Sequence, residues 1–163
     1  NAVEKTHRYT EIGKKEKANL VLGGEKVKGK GFFYKPTIFT DVKENMRIAK
    51  EEIFGPTVSI LSAKGIDEAI KICNNIEYGL SSSIYTNNVN KAFKAIEKIE
   101  AGLTYINSST IGSEVHLPFG GVKHTGHGRE AGIEGIYGFS ETKTVYIDYS
   151  GKLQKAQGIE QRR

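Results

Sequence analysis

The sequence predicts an α/β fold, and three observations carry that prediction. Thr57–Leu61, Leu80–Thr86 and Leu103–Asn107 read as strands, while the stretches between them, Ile66–Ile76 and Asn90–Ala101, carry apolar residues at helical spacing. A β-α-β-α-β order with helices of about three turns calls for parallel strands joined by right-handed crossovers, with helices covering the sheet. Glycine is frequent, 19 of 163 residues, so turns are many. The length suits one domain whose core stands without disulfides or a structural metal.

Each element has its own warrant. Ala2–Lys17 mixes Lys and Glu at weak helical spacing and reads as an exposed helix with little apolar surface to bury. Ala18–Leu22 is a short apolar run stopped by Gly23-Gly24, a strand followed by a turn or hairpin through the Lys/Gly stretch to Gly31. Phe32–Tyr34 and Thr37–Val42 are two more extended pieces around Pro36. In the first crossover helix Ile66, Ala69, Ile70, Cys73 and Ile76 share one face; in the second Phe93, Ile96 and Ile99 do, with Gly102 as the expected C-cap. Arg129–Phe139 is a weak, glycine-interrupted helix, Lys143–Tyr149 alternates as a final strand, and Ser150–Arg163 is a polar tail expected to fray.

Composition excludes several classes. No apolar run approaches the ~18 residues of a membrane span, and Asn1–Lys17 is unlike a signal peptide, so the chain reads as cytoplasmic with no membrane partner. The net charge of +5 is spread through the chain, with five arginines among 24 basic residues; that is the pattern of a lysine-rich solvated exterior, with a basic nucleic-acid binder as the rival that charge alone supports. One cysteine and no H-x-x-x-H pair leave no multi-cysteine zinc cage, and no metal is expected. The chain opens at Asn1 and its only methionine is Met46, so residues were removed or the piece was cut from something longer.

Chemistry is sought where loops follow parallel strands. Ser108–Gly128, with Pro118 and several glycines, is long for a compact domain and stands after a strand, where ligands of α/β folds sit. His116, His124 and His127 in it could line a site or bind an anion, or be ordinary surface histidines. Gly126-His-Gly-Arg-Glu-Ala131 matches Gly-x-Gly-x-x-Ala, yet it follows a turn-rich loop and reads as a bent loop feeding a helix. Cys73, among isoleucines, reads as a buried packing cysteine. In Glu51-Glu-Ile-Phe-Gly-Pro56 an extended backbone would turn Glu52 and Phe54 to one side and Glu51 and Ile53 to the other. That pair offers a carboxylate for a sugar diol beside an aromatic for a flat heterocycle; the alternative is an exposed acidic pair with Phe54 in the core.

Glu51-Glu-Ile-Phe-Gly-Pro56, Tyr78-Gly-Leu-Ser-Ser-Ser-Ile-Tyr-Thr86, Gly102-Leu-Thr-Tyr-Ile-Asn107, Pro118-Phe-Gly-Gly-Val-Lys123 and Gly128-Arg-Glu130 together resemble the C-terminal third of the NAD(P)-dependent aldehyde dehydrogenases, in unbroken order over about residues 5 to 149. The loop Ser109–Pro118 looks most like the branch that handles semialdehydes. The resemblance implies a three-layer sandwich with a mostly parallel sheet, comprising a partial catalytic domain (1–139), an oligomerisation strand (140–149) and a polar tail (150–163).

In that family a cysteine thiolate attacks the aldehyde, hydride passes to the nicotinamide, and a glutamate-activated water hydrolyses the thioester. By resemblance, Glu52 would hold the nicotinamide ribose and Phe54 would pack beside the ring of NAD or NADP. Ser109, Thr110, His116 and Phe119 would line the aldehyde tunnel, and Lys143, Val145 and Ile147 would join a sheet in a homo-oligomer. The family's nucleophile segment, its oxyanion-binding Asn, its general-base Glu and its dinucleotide domain have no counterpart here, so no catalytic residue is expected and the chain alone should be inactive. The other reading implied is a non-catalytic assembly protein that keeps the family fold.

Overall fold

The buried face of the first helix is made of small and hydroxyl-bearing residues, and it is one of the best-packed parts of the molecule. The structure is a computed structural model and describes residues 1–152. Helix α1 (Ala2–Lys15) buries Thr6, Tyr9, Thr10 and Gly13, where the sequence pattern predicts an exposed helix. The reason is local satisfaction: Thr6 Oγ1 donates to the Ala2 carbonyl at 2.9 Å and Thr10 Oγ1 to that of Thr6 at 3.1 Å, so both hydroxyls leave water without losing a partner. A scan for large apolar side chains cannot see such a face.

Strand β1 (Asn19–Leu22) pairs antiparallel with β2 (Thr37–Thr40), with a register irregularity between Leu20 and Leu22. Between them residues 25–35 fold back as a hairpin arm, Val27 N–H to the Phe33 carbonyl and Lys35 N–H to that of Glu25, as the Lys/Gly stretch predicts. The arm is tied to α1 where Tyr34 Oη donates to Thr10 Oγ1 at 2.9 Å and lies 3.0 Å from His7 Nδ1. Strand β3 (Thr57–Ser59) joins β2 in parallel, Thr37 opposite Thr57 and Phe39 opposite Ser59. The one-turn helix α2 (Arg47–Lys50) lies on the crossover between them, its first N–H capped by the Glu16 carboxylate. Tyr9, Ala18, Phe39, Val42, Met46 and Ile48 form the core of this half, with Ile12, Leu20 and Ile53 packed against it.

The second half is more open. Helix α3 (Ile66–Asn74) leads to the short strand β4 (Tyr78–Gly79), then to β5 (Ser81–Ile84), helix α4 (Val89–Lys98) and β6 (Leu103–Ile106). β5 and β6 pair in parallel through α4, the crossover unit that the periodicity predicts. Among the described residues the strands do not form one run, however: β3 is bonded to β2, β5 to β6, and β4 pairs antiparallel with β7 (Val122–Lys123), giving three separate sheets. Apolar periodicity specifies strands and crossovers but carries no information on which strands become neighbours. Helix α5 (Gly132–Gly138) closes the described elements.

Two helix faces also differ from expectation. On α3, Ile70 is buried, but Cys73 is exposed. On α4 the face turned inward is the small one, with Ala95 fully buried, while Val89, Phe93 and Ile96 are 50–66% exposed. Small side chains let the helix pack closely on its inner side, and the larger residues are left mostly exposed. Helix α4 ends at Ile99 instead of Gly102, because Gly102 serves another contact described below. Lys143–Tyr149 pairs with none of the described sheets, and Val145, Tyr146, Ile147 and Tyr149 are exposed; of the tail, residues 153–163 lie outside the described residues. No helix among the described residues is long and apolar enough to cross a membrane.

Candidate functional site

The turn Glu51–Pro56 joins α2 to β3, and both of its ends are fixed. At its start Glu51 N–H bonds the Arg47 carbonyl at 2.8 Å, and the Glu51 carboxylate is held in a fork by Arg47, Nε to Oε1 at 2.6 Å and Nη2 to Oε2 at 2.9 Å. Tyr9 Oη, reaching across from α1, donates to Oε2 at 2.6 Å. At its end the Pro56 carbonyl accepts from Thr37 N–H at 2.8 Å and places the turn against β2. Gly55 lies so close to Thr6 that a Cβ there would collide with Thr6 Oγ1, which accounts for a glycine at this point.

Electrostatics follow from this geometry. The Arg47 guanidinium, aided by the Tyr9 hydroxyl, holds the Glu51 carboxyl down at about 2. The same carboxylate, with burial, pushes the Tyr9 phenol up, and it raises Arg47 further. Glu51 is therefore an ionised structural carboxylate at neutral pH.

Within the pinned turn, exposure alternates: Glu51 and Ile53 are half-buried, Glu52 and Phe54 exposed. Phe54 is 82% exposed, so it is no core residue, and it sits at φ +57°, a left-handed conformation that a bulky side chain seldom adopts. A carboxylate and an aromatic ring, two residues apart, are thus both exposed on a backbone held at both ends.

The second candidate region follows β6. Asn107, at φ +53°, ends the strand by accepting Thr86 N–H on Oδ1 at 2.7 Å and donating from Nδ2 to the Thr86 carbonyl at 3.1 Å. The chain then turns back over the strand, and Tyr105 Oη bonds the Gly112 carbonyl at 2.6 Å. A hollow of about 530 Å³ remains between strand and loop, lined among others by Thr104, Tyr105, Ser108, Ile111 and Leu117. Ser109, Thr110 and His116 stand exposed on the same loop but outside that lining. Phe119 is half-buried and lines a separate hollow of about 490 Å³ with Thr125, Arg129 and Phe139. Among the described residues no hydrogen bond joins this loop to the turn Glu51–Pro56.

Behind Phe119 the backbone is packed on itself. Phe119 exchanges hydrogen bonds with Glu130, both at 2.7 Å, and Arg129 Nη1 donates to the Gly121 carbonyl at 2.7 Å. A Cβ at Gly102 would strike the Gly120 carbonyl, so that glycine allows backbone to meet backbone. Lys123 Nζ bonds the carbonyls of Asn74 and Ile76 at the end of α3. The Gly126–Ala131 stretch lies in this strap, as a bent loop before α5.

Other candidates are more peripheral. Burial pushes the Cys73 thiol up, against a smaller opposing effect of Lys123, so it is a poor thiolate despite its exposure. His124 faces Glu77 at 3.4 Å, and His116 and His127 are exposed. Sequence reasoning missed Tyr9, Arg47 and Asn107. The Arg47/Glu51 spacing of four is a readable pairing signal; the partner Tyr9, 42 residues from Glu51, has none.

A pinned turn bearing Glu and Phe, a parallel β5-α4-β6 unit and a Pro-Phe-Gly-Gly strap are the site features of this α/β chain. The sequence profile described as "Aldehyde dehydrogenase family" matches residues 1–145, and the chain belongs to that family. It is 46% identical over 142 residues to "Aldehyde dehydrogenase, cytosolic 1" of Rattus norvegicus, an alignment spanning 87% of this chain and 28% of that protein. Among solved structures it resembles the NAD-dependent aldehyde dehydrogenase from Sinorhizobium meliloti, with a TM-score of 0.90 and 40% identity over 94% of this chain and 30% of the other. It also resembles the NAD+ complex of the Bacillus cereus aldehyde dehydrogenase, with a TM-score of 0.87 and 40% identity over 91% and 30%. The chain spans less than a third of the length of the relatives it matches.

Proposed function

We propose that this chain supplies the cofactor-contacting turn and part of the aldehyde-side lining of an enzyme that oxidises an aldehyde to a carboxylate with NAD or NADP. The observation that carries this reading is the turn Glu51–Pro56, which is fixed at both ends and leaves Glu52 and Phe54 exposed side by side. The donor set suits a nicotinamide nucleoside: a carboxylate accepts hydrogen bonds from ribose hydroxyls, and an aromatic face packs on a planar ring. Glu52 and Phe54 would hold and orient the dinucleotide, which when bound would supply the hydride acceptor. Ser109, Thr110 and His116, from the loop after β6, and Phe119, from the strap beyond it, line the aldehyde side. We place the enzyme in the cytoplasm, in keeping with the cytosolic rat relative.

Lys143, Val145 and Ile147 are the assembly segment in this reading. Val145 and Ile147 stand two apart, so an extended backbone puts both on one side, and both are exposed. Adding this strand to a sheet of a second copy would bury them.

The chain alone has one thiol, and its pKa is raised. It is therefore expected to show no aldehyde-dependent reduction of NAD or NADP. The test replaces the matching region of a full-length relative with this chain and follows reduced nicotinamide. Turnover is expected to survive, and Glu52→Gln is expected to raise the KM for the cofactor and slow hydride transfer. Unchanged cofactor kinetics in that variant would sink the assignment.

A further inference from the structure

Phe54 occupies the left-handed region at φ +57° although it is a bulky residue with its ring in solvent. Nothing it buries offsets the cost of that conformation, so the surrounding structure must impose it. Ile53, packed against the core, holds the middle of the turn, and the Thr37 contact to the Pro56 carbonyl holds its end. Its start is held by the Glu51 carboxylate, through two bonds from Arg47 and one from Tyr9. Arg47 is itself fixed from the other side, its N–H bonding the Glu16 carboxylate and its guanidinium lying 5.7 Å from the Tyr9 ring centroid.

We infer that Tyr9, Arg47 and Glu51 are positioning residues that hold the left-handed backbone at Phe54 and so aim Glu52 and Phe54 at the cofactor. The aiming rests on the reading in the preceding subsection; the backbone restraint does not. With the start of the turn released, the short span from Glu51 to Gly55 gains room to carry Phe54 through an ordinary conformation. Its alternation with Glu52 would then be lost. With the start fixed, the left-handed route presents both side chains outward.

The test uses a sign instead of a magnitude. In a left-handed position glycine is more stable than alanine, whereas in an ordinary extended or turn conformation alanine is more stable than glycine. In the 163-residue chain, Phe54→Gly is expected to melt about 2–4 °C above Phe54→Ala. In an E51Q background the order is expected to reverse, with Phe54→Ala above Phe54→Gly. General destabilisation by E51Q would lower both variants and keep their order, so a retained order overturns the inference and leaves the cluster a plain staple. If E51Q does not fold, Y9F, which removes one donor and keeps the ring, is expected to shrink the gap between the two variants by half or more. An unchanged gap there also overturns it. Failure of this test would leave the cofactor reading standing, and failure of the KM test on Glu52 would leave the restraint on Phe54 standing.

Discussion

The half built on α1 and the half built on β5-α4-β6 bury very different amounts of apolar side chain. Of the eight buried hydrophobic residues among those described, six lie between Tyr9 and Ile48, and only Ile70 and Ala95 lie beyond. The first half closes on itself: α1, β1, β2 and α2 contribute side chains to one cluster. The second half has regular elements with good hydrogen bonding, yet Val89, Phe93 and Ile96 on α4 and Ile133, Ile136 and Tyr137 on α5 face outward. Secondary structure and a closed core are separable, and the chain holds one example of each.

The strongest way to break this contrast is Phe39→Ala. Phe39 is 1% exposed at the centre of the first cluster, and its loss is expected to cost about 3–5 kcal/mol in urea unfolding. A loss below about 1 kcal/mol would mean that this cluster does not dominate stability. Next in size is Asn88→Ala, which removes the side-chain cap on Lys91 N–H at the start of α4. About 1 kcal/mol is expected, read as faster amide exchange confined to α4. Exchange that rises equally over β1 and β2 would show the halves to be one cooperative unit.

Acid sensitivity gives a smaller effect, because the Arg47–Glu51 pair is more than a third exposed. The folded-state value of Glu51 lies below its ordinary one, so its contribution is full above pH 4.5 and is lost as pH falls towards about 2. The stability difference between the wild-type chain and E51Q should therefore shrink over that window and stay flat above it. The smallest effect is expected for Phe93→Ser, within about 0.5 kcal/mol in unfolding. A larger loss, together with a fall in sedimentation coefficient on substitution, would mean that the outer face of α4 is covered in solution by another copy.

Much of this architecture was legible in the sequence, and the gaps have physical causes. Ile66–Asn74, Val89–Lys98 and the strands after each follow from apolar spacing, because a crossover helix must bury one face. The shared exposure of Glu52 and Phe54 was readable from their spacing of two, whereas the left-handed backbone at Phe54 was not. The packing of α1 was not, since Thr6, Thr10 and Gly13 bury well only when each hydroxyl finds a carbonyl four residues back. The exposure of Cys73 and Phe93 was hidden because spacing tells which residues share a face and leaves open what that face meets. The Tyr9–Glu51 contact joins segments far apart in the chain, and no spacing encodes it.

The backbone contact between Gly102 and Gly120 sets limits on how this molecule can diversify. It fixes the chain just before β6, at Gly102, and at the far end of the loop that follows β6, at Gly120, as hard stops that admit no side chain. Between those stops, residues 108–118 are exposed, and changes in their length or composition should leave the pairing of β6 with β5 in place. A library that varies this interval should return mostly folded proteins, whereas one that varies Gly102 or Gly120 should return almost none. Evolvability is thus concentrated in the exposed loop that lies between the two glycines.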